Sequence, residues 1–327
     1  MSVEATAPGK AILFGEHSVV YRGPAVVVAI DKRAMIQVAE RIDEKIWFDC
    51  LDLGFEGYFE DGSYTPIKGK AWRGKRLKAM LVSAQKTMEQ TGSHSGIDIK
   101  VRSDIPVAAG LGSSAAICVA TAAAVGELFD GGLTRQEIND IAYEGEKIVH
   151  GTPSGVDNNI STFGGVVRYE KGVGIEKIEL KGGLPFVIGN SKRRRSTKRL
   201  VARVRALKNR EPELVEGIID SIVEVSTRGL EALKEKDLQR VGDLMNVNHG
   251  LLSSLGVSIA KLDLMTHLSR GAGAYGAKLT GAGGGGCIIA IAEPNRLGDI
   301  CKAIKRGRGE PHIVNVTYEG VQTRRLD

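Results

Sequence analysis

The sequence of 327 residues predicts an α+β protein of two domains that close on a cleft. Three observations predict it: strands mixed with helices in the first half, a shift to amphipathic helix after Gly182 and Gly183, and a glycine-rich loop between a strand and an alanine-rich helix. The length accommodates two domains with ordinary cores. We place them at residues 1–181 and 182–327, with no internal repeat or low-complexity linker between them. Halves joined so directly are expected to pack closely around the cleft.

Taken in order, "AVVVAI" (Ala25–Ile30) reads as a buried strand. "IDIKVR" (Ile97–Arg102) alternates apolar Ile97, Ile99 and Val101 with polar partners, as a half-exposed strand does. It leads into "PVAAGLGSSAA" (Pro106–Ala116). "SSAAICVATAAAVGELF" (Ser113–Phe129) is rich in alanine, lacks proline and predicts a buried helix that starts at the serines, whose hydroxyls suit an N-cap. The next helix begins at Thr134, where "TRQE" forms a capping box with Glu137. Its apolar residues Ile138, Ile141, Ala142, Ile148 and Val149 fall on one face, and it ends near "HGTPSG". From Ser196 to about His267 the pattern is amphipathic helix, broken near "NHGLLSSLGVS". A glycine cluster and the strand "CIIAIAE" follow.

Composition narrows the function classes. With 42% hydrophobic and 26% charged residues the chain is of ordinary soluble type. No apolar run approaches the roughly 20 residues of a membrane span, and the N-terminus lacks a basic region followed by an apolar one, so a cytoplasmic protein without a membrane partner is expected. Cys50, Cys118, Cys287 and Cys301 are far apart without C-x-x-C spacing and read as reduced, mostly buried thiols. The net charge of +6 suits nucleic acid, an anionic surface or a small anion. Only 5% of residues are aromatic, and no basic stretch is interleaved with Phe or Tyr. No nucleic-acid partner is therefore expected, and a small anionic ligand is.

The loop at Pro106–Ala116 fits that ligand. A helix N-terminus exposes unpaired N–H groups and the positive end of the helix dipole, and Gly110 and Gly112 let a polyanion reach the main chain. Ser113 and Ser114 add hydroxyls suited to capping, to a phosphate oxygen or to magnesium. The lysine of a G-x-x-x-x-G-K-[ST] loop is missing, and no third glycine follows to make a dinucleotide fingerprint.

The loop resembles the signature of the GHMP kinase superfamily. "APGKAILFGEHSVVY" (Ala7–Tyr21) and "KLTGAGGGGC" (Lys278–Cys287) resemble that superfamily's first and third segments, in the same order and spanning nearly the whole chain. Within it, "GEHSVVY", "HGTPSGVDN" (His150–Asn158) and "NVNHGLLSSLGVS" (Asn246–Ser258) together are similar to the mevalonate kinase branch of archaeal type. The resemblance implies a two-domain GHMP kinase fold with the active-site cleft between the domains, and ATP-dependent phosphorylation of the primary hydroxyl of mevalonate with Mg²⁺. By the same resemblance Pro106, Val107, Ala108, Ala109, Gly110, Leu111, Gly112, Ser113, Ser114, Ala115 and Ala116 hold ATP. Ser114 and Glu146 hold the metal, Asp157 and Lys10 are catalytic, and Lys10, Glu16, His17, Ser154, Asp157 and Thr197 contact mevalonate. The helical wheel alone leaves Glu144 and Glu146 equal. His150 and His249 are left as structural. ATP and mevalonate are the implied partners, and a homodimer stays open. A related kinase of phosphomevalonate or of the tertiary 3-hydroxyl would share the same loop, and a non-catalytic ligand-binding relative is the alternative of a different class, which the presence of Lys10, Glu146 and Asp157 argues against.

Two stretches leave alternatives. "IGNSKRRRSTKRLV" (Ile188–Val201) has Asn190 where these kinases usually carry Asp, and a basic run Lys192–Arg195. The run is either a solvated face or a place where Lys192 or Arg193 draws in an anion. "KLTGAGGGGC" is either a flexible surface loop or a close backbone approach to phosphate or to the loop at Gly110, and the second is expected.

Overall fold

The computed structural model describes residues 1–50, 54–106, 110–151, 153–180 and 183–326. The first half comprises β1 (Ser2–Phe14), the single-turn α1 (Ser18–Tyr21), β2 (Pro24–Arg41), β3 (Ile46–Cys50), β4 (Phe55–Glu60), β5 (Ser63–Lys68), α2 (Gly74–Thr91), β6 (Gly96–Ser103), α3 (Ser113–Leu128), α4 (Arg135–His150), α5 (Val156–Phe163), β7 (Val166–Glu170) and β8 (Gly174–Ile178). The second comprises β9 (Pro185–Asn190), α6 (Thr197–Arg210), α7 (Pro212–Glu235), α8 (Leu238–Ser254), α9 (Ala260–Gly271), β10 (Gly276–Thr280), β11 (Cys287–Ile291), α10 (Leu297–Arg306), β12 (Glu310–Asn315) and β13 (Gln322–Leu326).

The larger sheet runs β13-β1-β2-β6-β3-β4-β5, with β7 paired to β2 and β8 to β7; the smaller runs β10-β11-β9-β12. β2 is buried without a break over residues 24–30 and alternates beyond; β1 pairs with it along both halves, β7 with its first half and β6 with its second. α3 packs on β1 and β2 and is itself covered by α2, α4 and α5. Twelve of its sixteen residues are buried. Only side chains as small as alanine let a sheet and three helices approach one helix from all sides. On the smaller sheet, α8 and α9 pack against β10, and α10 against β12.

The structure departs from the sequence reading at four points. Gly112, in the left-handed region at φ 74°, caps α3 without a side-chain bond, so the serine hydroxyls do not cap the helix and are free for other partners. In α4, Ile138, Ile141 and Ala142 are buried but Ile148 and Val149 are about half exposed at 51% and 52%. The apolar periodicity continues into a last turn, 147–150, that extends past the core it packs on. α8 runs through Asn246–Ser254, and the helical break falls at 255–259, where Gly256 takes φ 72°. The residue pair chosen for the domain boundary includes Lys181 and Gly182, which lie outside the described residues. The division is also not clean, because β13 returns to the larger sheet and covers the outer edge of β1, pairing Ser2 to Leu326 through Thr6 to Gln322. An uncovered β1 would leave a long unpaired edge. The capping box at Thr134 forms in full, with Thr134 Oγ1 accepting from Glu137 N and Glu137 accepting from Thr134 N.

Candidate active site

Close backbone approaches bring β1 against the glycine loop. Lys10 N donates to Leu111 O at 2.8 Å. A Cβ on Gly112 would lie 2.8 Å from Lys10 Cγ, and one on Gly9 would lie 2.7 Å from Leu111 O. Glycine at both positions is what lets the Lys10 stem cross the start of α3. The side chain, 9% exposed, then brings its ammonium to Asp157 Oδ1 at 3.1 Å. Asp157 is the second residue of α5, which starts after left-handed Gly155 (φ 81°), so the carboxylate faces both the positive end of a helix and a cation.

A second pair lies beside this one. Ser114 Oγ, at the start of α3, donates to Glu146 Oε1 at 2.5 Å. Glu146 is 2% exposed, whereas Glu144 pairs at the surface with Lys147 at 2.6 Å, so burial separates the two carboxylates that the wheel left equal. Burial pushes the Glu146 carboxyl above its ordinary range. The Ser114 hydroxyl, His150 and Lys10 pull it down, and Asp157 pushes it up. His150 Nε2 stands 3.5 Å from Glu146 Oε2, one helical turn on. His150 therefore faces this pair at the surface, whereas His249 is buried and bonded to Asp263, Thr266 and Leu279 N.

The remaining expected residues fall in different places. Pro106, Gly110, Leu111, Gly112, Ser113 and Ser114 line the approach, with Gly110 exposed and Leu111 buried; Val107, Ala108 and Ala109 lie outside the described residues. Ala115 and Ala116 are wholly buried in the helix core, so only their main chain faces the loop. Glu16 is buried, with its carboxylate bonded to Lys278 and Asn248 across the halves. His17 donates from Nε2 to Ala282 O at 3.0 Å, and burial lowers its pKa, so the ring is neutral. Ser154 is exposed three residues before Asp157, its Oγ accepting from Val156 N. Thr197 is exposed at the start of α6, and no described contact joins it to Lys10 or Asp157.

Arg195 is the residue that sequence reasoning missed. Lys192, Arg193 and Arg194 are exposed, as a solvated face requires, but Arg195 turns inward. Its Nη1 donates to Thr280 O at 3.2 Å. A Cβ on Gly110 would lie 1.5 Å from its Nη2, and one on Gly281 2.6 Å. The guanidinium thus fills the gap between the two glycine loops, where burial lowers its pKa and Cys287, Asp157 and Glu16 oppose that shift. The signal in the sequence was the pair of glycine clusters, each of which leaves room for a planar cation. "GAGGGG" is correspondingly no flexible loop: Gly283 and Gly285 pack against Val257 O and Arg193 O, where a Cβ would come within 2.1 and 2.5 Å.

Comparison with known proteins bears on the family and the fold. The profile described as GHMP kinases N terminal domain matches residues 78–165, and the one described as GHMP kinases C terminal matches residues 230–308. The mevalonate kinase of Thermococcus sibiricus is 39% identical, covering 98% of each chain. That of Pyrococcus horikoshii is 40% identical over 98% of this chain and 97% of its own. Among solved structures, L. major mevalonate kinase in complex with R-mevalonate superposes with a TM-score of 0.83 at 27% identity, covering 96% of each chain. Two matched profiles in their expected order, a shared fold and near-full-length identity lead to one conclusion: this chain belongs to the GHMP kinase family.

Proposed function

We propose that the protein is a mevalonate kinase, transferring the γ-phosphoryl group of ATP to the primary hydroxyl of mevalonate. The observation that carries the reading is the Lys10–Asp157 pair at 3.1 Å, held beside the N-terminus of α3 by the Lys10 N to Leu111 O bond. Phosphoryl transfer passes through a loose transition state, so the protein's work is alignment and charge stabilisation. In this reading the N–H groups at the start of α3 receive the phosphates. Asp157 accepts the proton of the attacking hydroxyl, and Lys10 neutralises charge on the transferred group. Arg195, between the loops, adds a second fixed cation facing Asp157.

The residues at Ser114 and Glu146 fit a magnesium ion: two hard oxygen donors 2.5 Å apart, one of them a buried carboxylate whose charge is costly without a cation. Mg²⁺ commonly takes one or two protein oxygens together with substrate phosphates and water. Ser114 Oγ and Glu146 would hold it, and it would supply charge neutralisation of the phosphates. Thr197, Ser154 and His17 form the acceptor wall in this reading, with Thr197 and Ser154 approaching substrate from exposed positions on either side of the cleft.

A coupled assay with ATP and Mg²⁺ over mevalonate, phosphomevalonate, homoserine and galactose tests the reading. Turnover should be confined to mevalonate. A preference for phosphomevalonate would shift the assignment to the kinase one step on. Asp157→Asn should retain ATP binding and lose about 10²- to 10⁴-fold in kcat. Unchanged kcat would remove Asp157 from the mechanism.

A further inference from the structure

One fully buried ion pair is not used in that mechanism, although the resemblance implies a mevalonate contact for its carboxylate, Glu16, whose two oxygens are held by Lys278 and Asn248. Lys278 in β10 and Glu16 in the β1–α1 turn are 0% and 1% exposed and in direct contact, although 262 residues separate them. Lys278 Nζ also donates to Leu279 O at 2.8 Å, and Asn248 Nδ2 in α8 donates to the second Glu16 oxygen at 3.2 Å. Both carboxylate oxygens of a first-half residue are therefore held by the second half.

The residue that follows explains what such a hold is for. His17 has φ 63° and ψ −43°, and Ser18 N donates to Glu16 O at 2.8 Å across it. This is the γ-turn of positive φ, rare and strained for any residue with a Cβ. Strain of this kind persists only where the surroundings over-determine it. Two anchors flank the turn, and both belong to one hairpin: Glu16 on Lys278, and the His17 ring on Ala282 O. Between them Thr280 Oγ1 donates to Ile12 O and accepts from Ile12 N, at 2.9 and 3.1 Å. A buried ion pair is a poor stabiliser, since an apolar pair of the same volume often does as well. What it supplies and an apolar pair does not is direction.

We propose that Lys278 is a positioning residue for the acceptor side of the active site: through Glu16 it holds the strained turn at His17 and so fixes the imidazole against Ala282, on the side of Arg195. Its consequence for catalysis rests on the mevalonate kinase reading, and its structural half does not. Lys278→Met and the double variant Glu16→Gln/Lys278→Met would be compared with wild type by steady-state kinetics and by ¹⁵N spectra of the histidine side chains. Wild-type His17 should show one fixed tautomer with Nε2 protonated. Lys278→Met should release it and raise the mevalonate KM about tenfold or more while the ATP KM stays within about twofold, since a misplacement of about 1 Å can cost 10²-fold. The double variant removes the carboxylate charge that Lys278→Met would leave unpaired in the core, and it should show the same released imidazole and raised KM. A His17 signal and both KM values unchanged in the double variant would overturn the proposal, as would equal rises in the two KM values. Absence of wild-type turnover on mevalonate would instead refute the kinase reading, and the His17 spectra would still decide whether Lys278 holds the turn.

Discussion

Single residues in this site are set by what their neighbours lack. Lys10 reaches Asp157 because Gly9 and Gly112 carry no Cβ, and Arg195 lies inward because Gly110 and Gly281 carry none. Gly110→Ala would put a methyl carbon 1.5 Å from Arg195 Nη2 and would also strain a backbone at φ 78°. It should expel the guanidinium and raise the ATP KM while the far sheet is untouched. Arg195→Met keeps the stem and removes the cation, and should lower kcat by about 10²-fold, in the range for losing one preorganised donor at a developing charge. Steady-state kinetics of both variants checks this, and an Arg195→Met enzyme with wild-type kcat would make Arg195 a packing residue. Lys10, Asp157, Ser114 and Glu146 entered only through the family resemblance, since periodicity left Glu146 equal to Glu144 and a lone Lys or Asp near glycines is more often a surface or turn residue. Arg195 did not enter at all: in a run of four cations nothing local says which one turns inward, because the space it fills is made by residues about 85 positions away on each side.

At the scale of elements, local chemistry gave reliable starts and less reliable ends. The Thr134 capping box is entirely local, three residues reaching back on one another, and it forms as the sequence requires. The end of α4 depends on where the core stops, which periodicity does not encode, so Ile148 and Val149 keep the pattern and lose the burial. The start of α3 was legible as a helix but not as to its cap, because a left-handed Gly112 satisfies the turn and frees the Ser114 hydroxyl for Glu146. Thr134→Ala should cost about 1 kcal/mol, the usual loss for an N-cap. Because the cap lies at the opposite end of α4 from Glu146, the kinetics should not change. A denaturation midpoint lowered with both KM values preserved is the expected result, and a change in mevalonate KM would show that α4 transmits strain along its length.

For the whole molecule, the two halves are joined by polar groups buried near the cleft, and this should show in how stability depends on pH. Burial is the largest cause of a lowered pKa at His17, His249 and His312, whose ordinary value is 6.5. Between each folded value and 6.5 the unfolded chain binds more protons than the folded one, so stability rises with pH there. The contribution of these three histidines is complete above about pH 6.5 and is lost as pH falls below it. Glu146 acts in the opposite sense, because burial raises its folded value above 4.5. Its charge burdens the fold at neutral pH, and acidification towards 4.5 relieves that burden. The carboxylates held low by partners, Asp43 at about 2 and Glu137 and Glu216 below 4.5, keep their contribution until the pH falls further. Among these groups the three histidines predict a melting temperature that declines as the pH falls from 6.5 towards 5. Glu146→Gln should raise the melting temperature at pH 7 and steepen that decline, since a group opposing it is gone, whereas His312→Asn should make it shallower. Thermal melts of the three proteins across pH 5–8 check the signs together. A wild-type melting temperature that rises on acidification from 6.5, or a Glu146→Gln curve parallel to wild type, would mean that the buried groups around the cleft are not the ones that set the stability of the assembled halves.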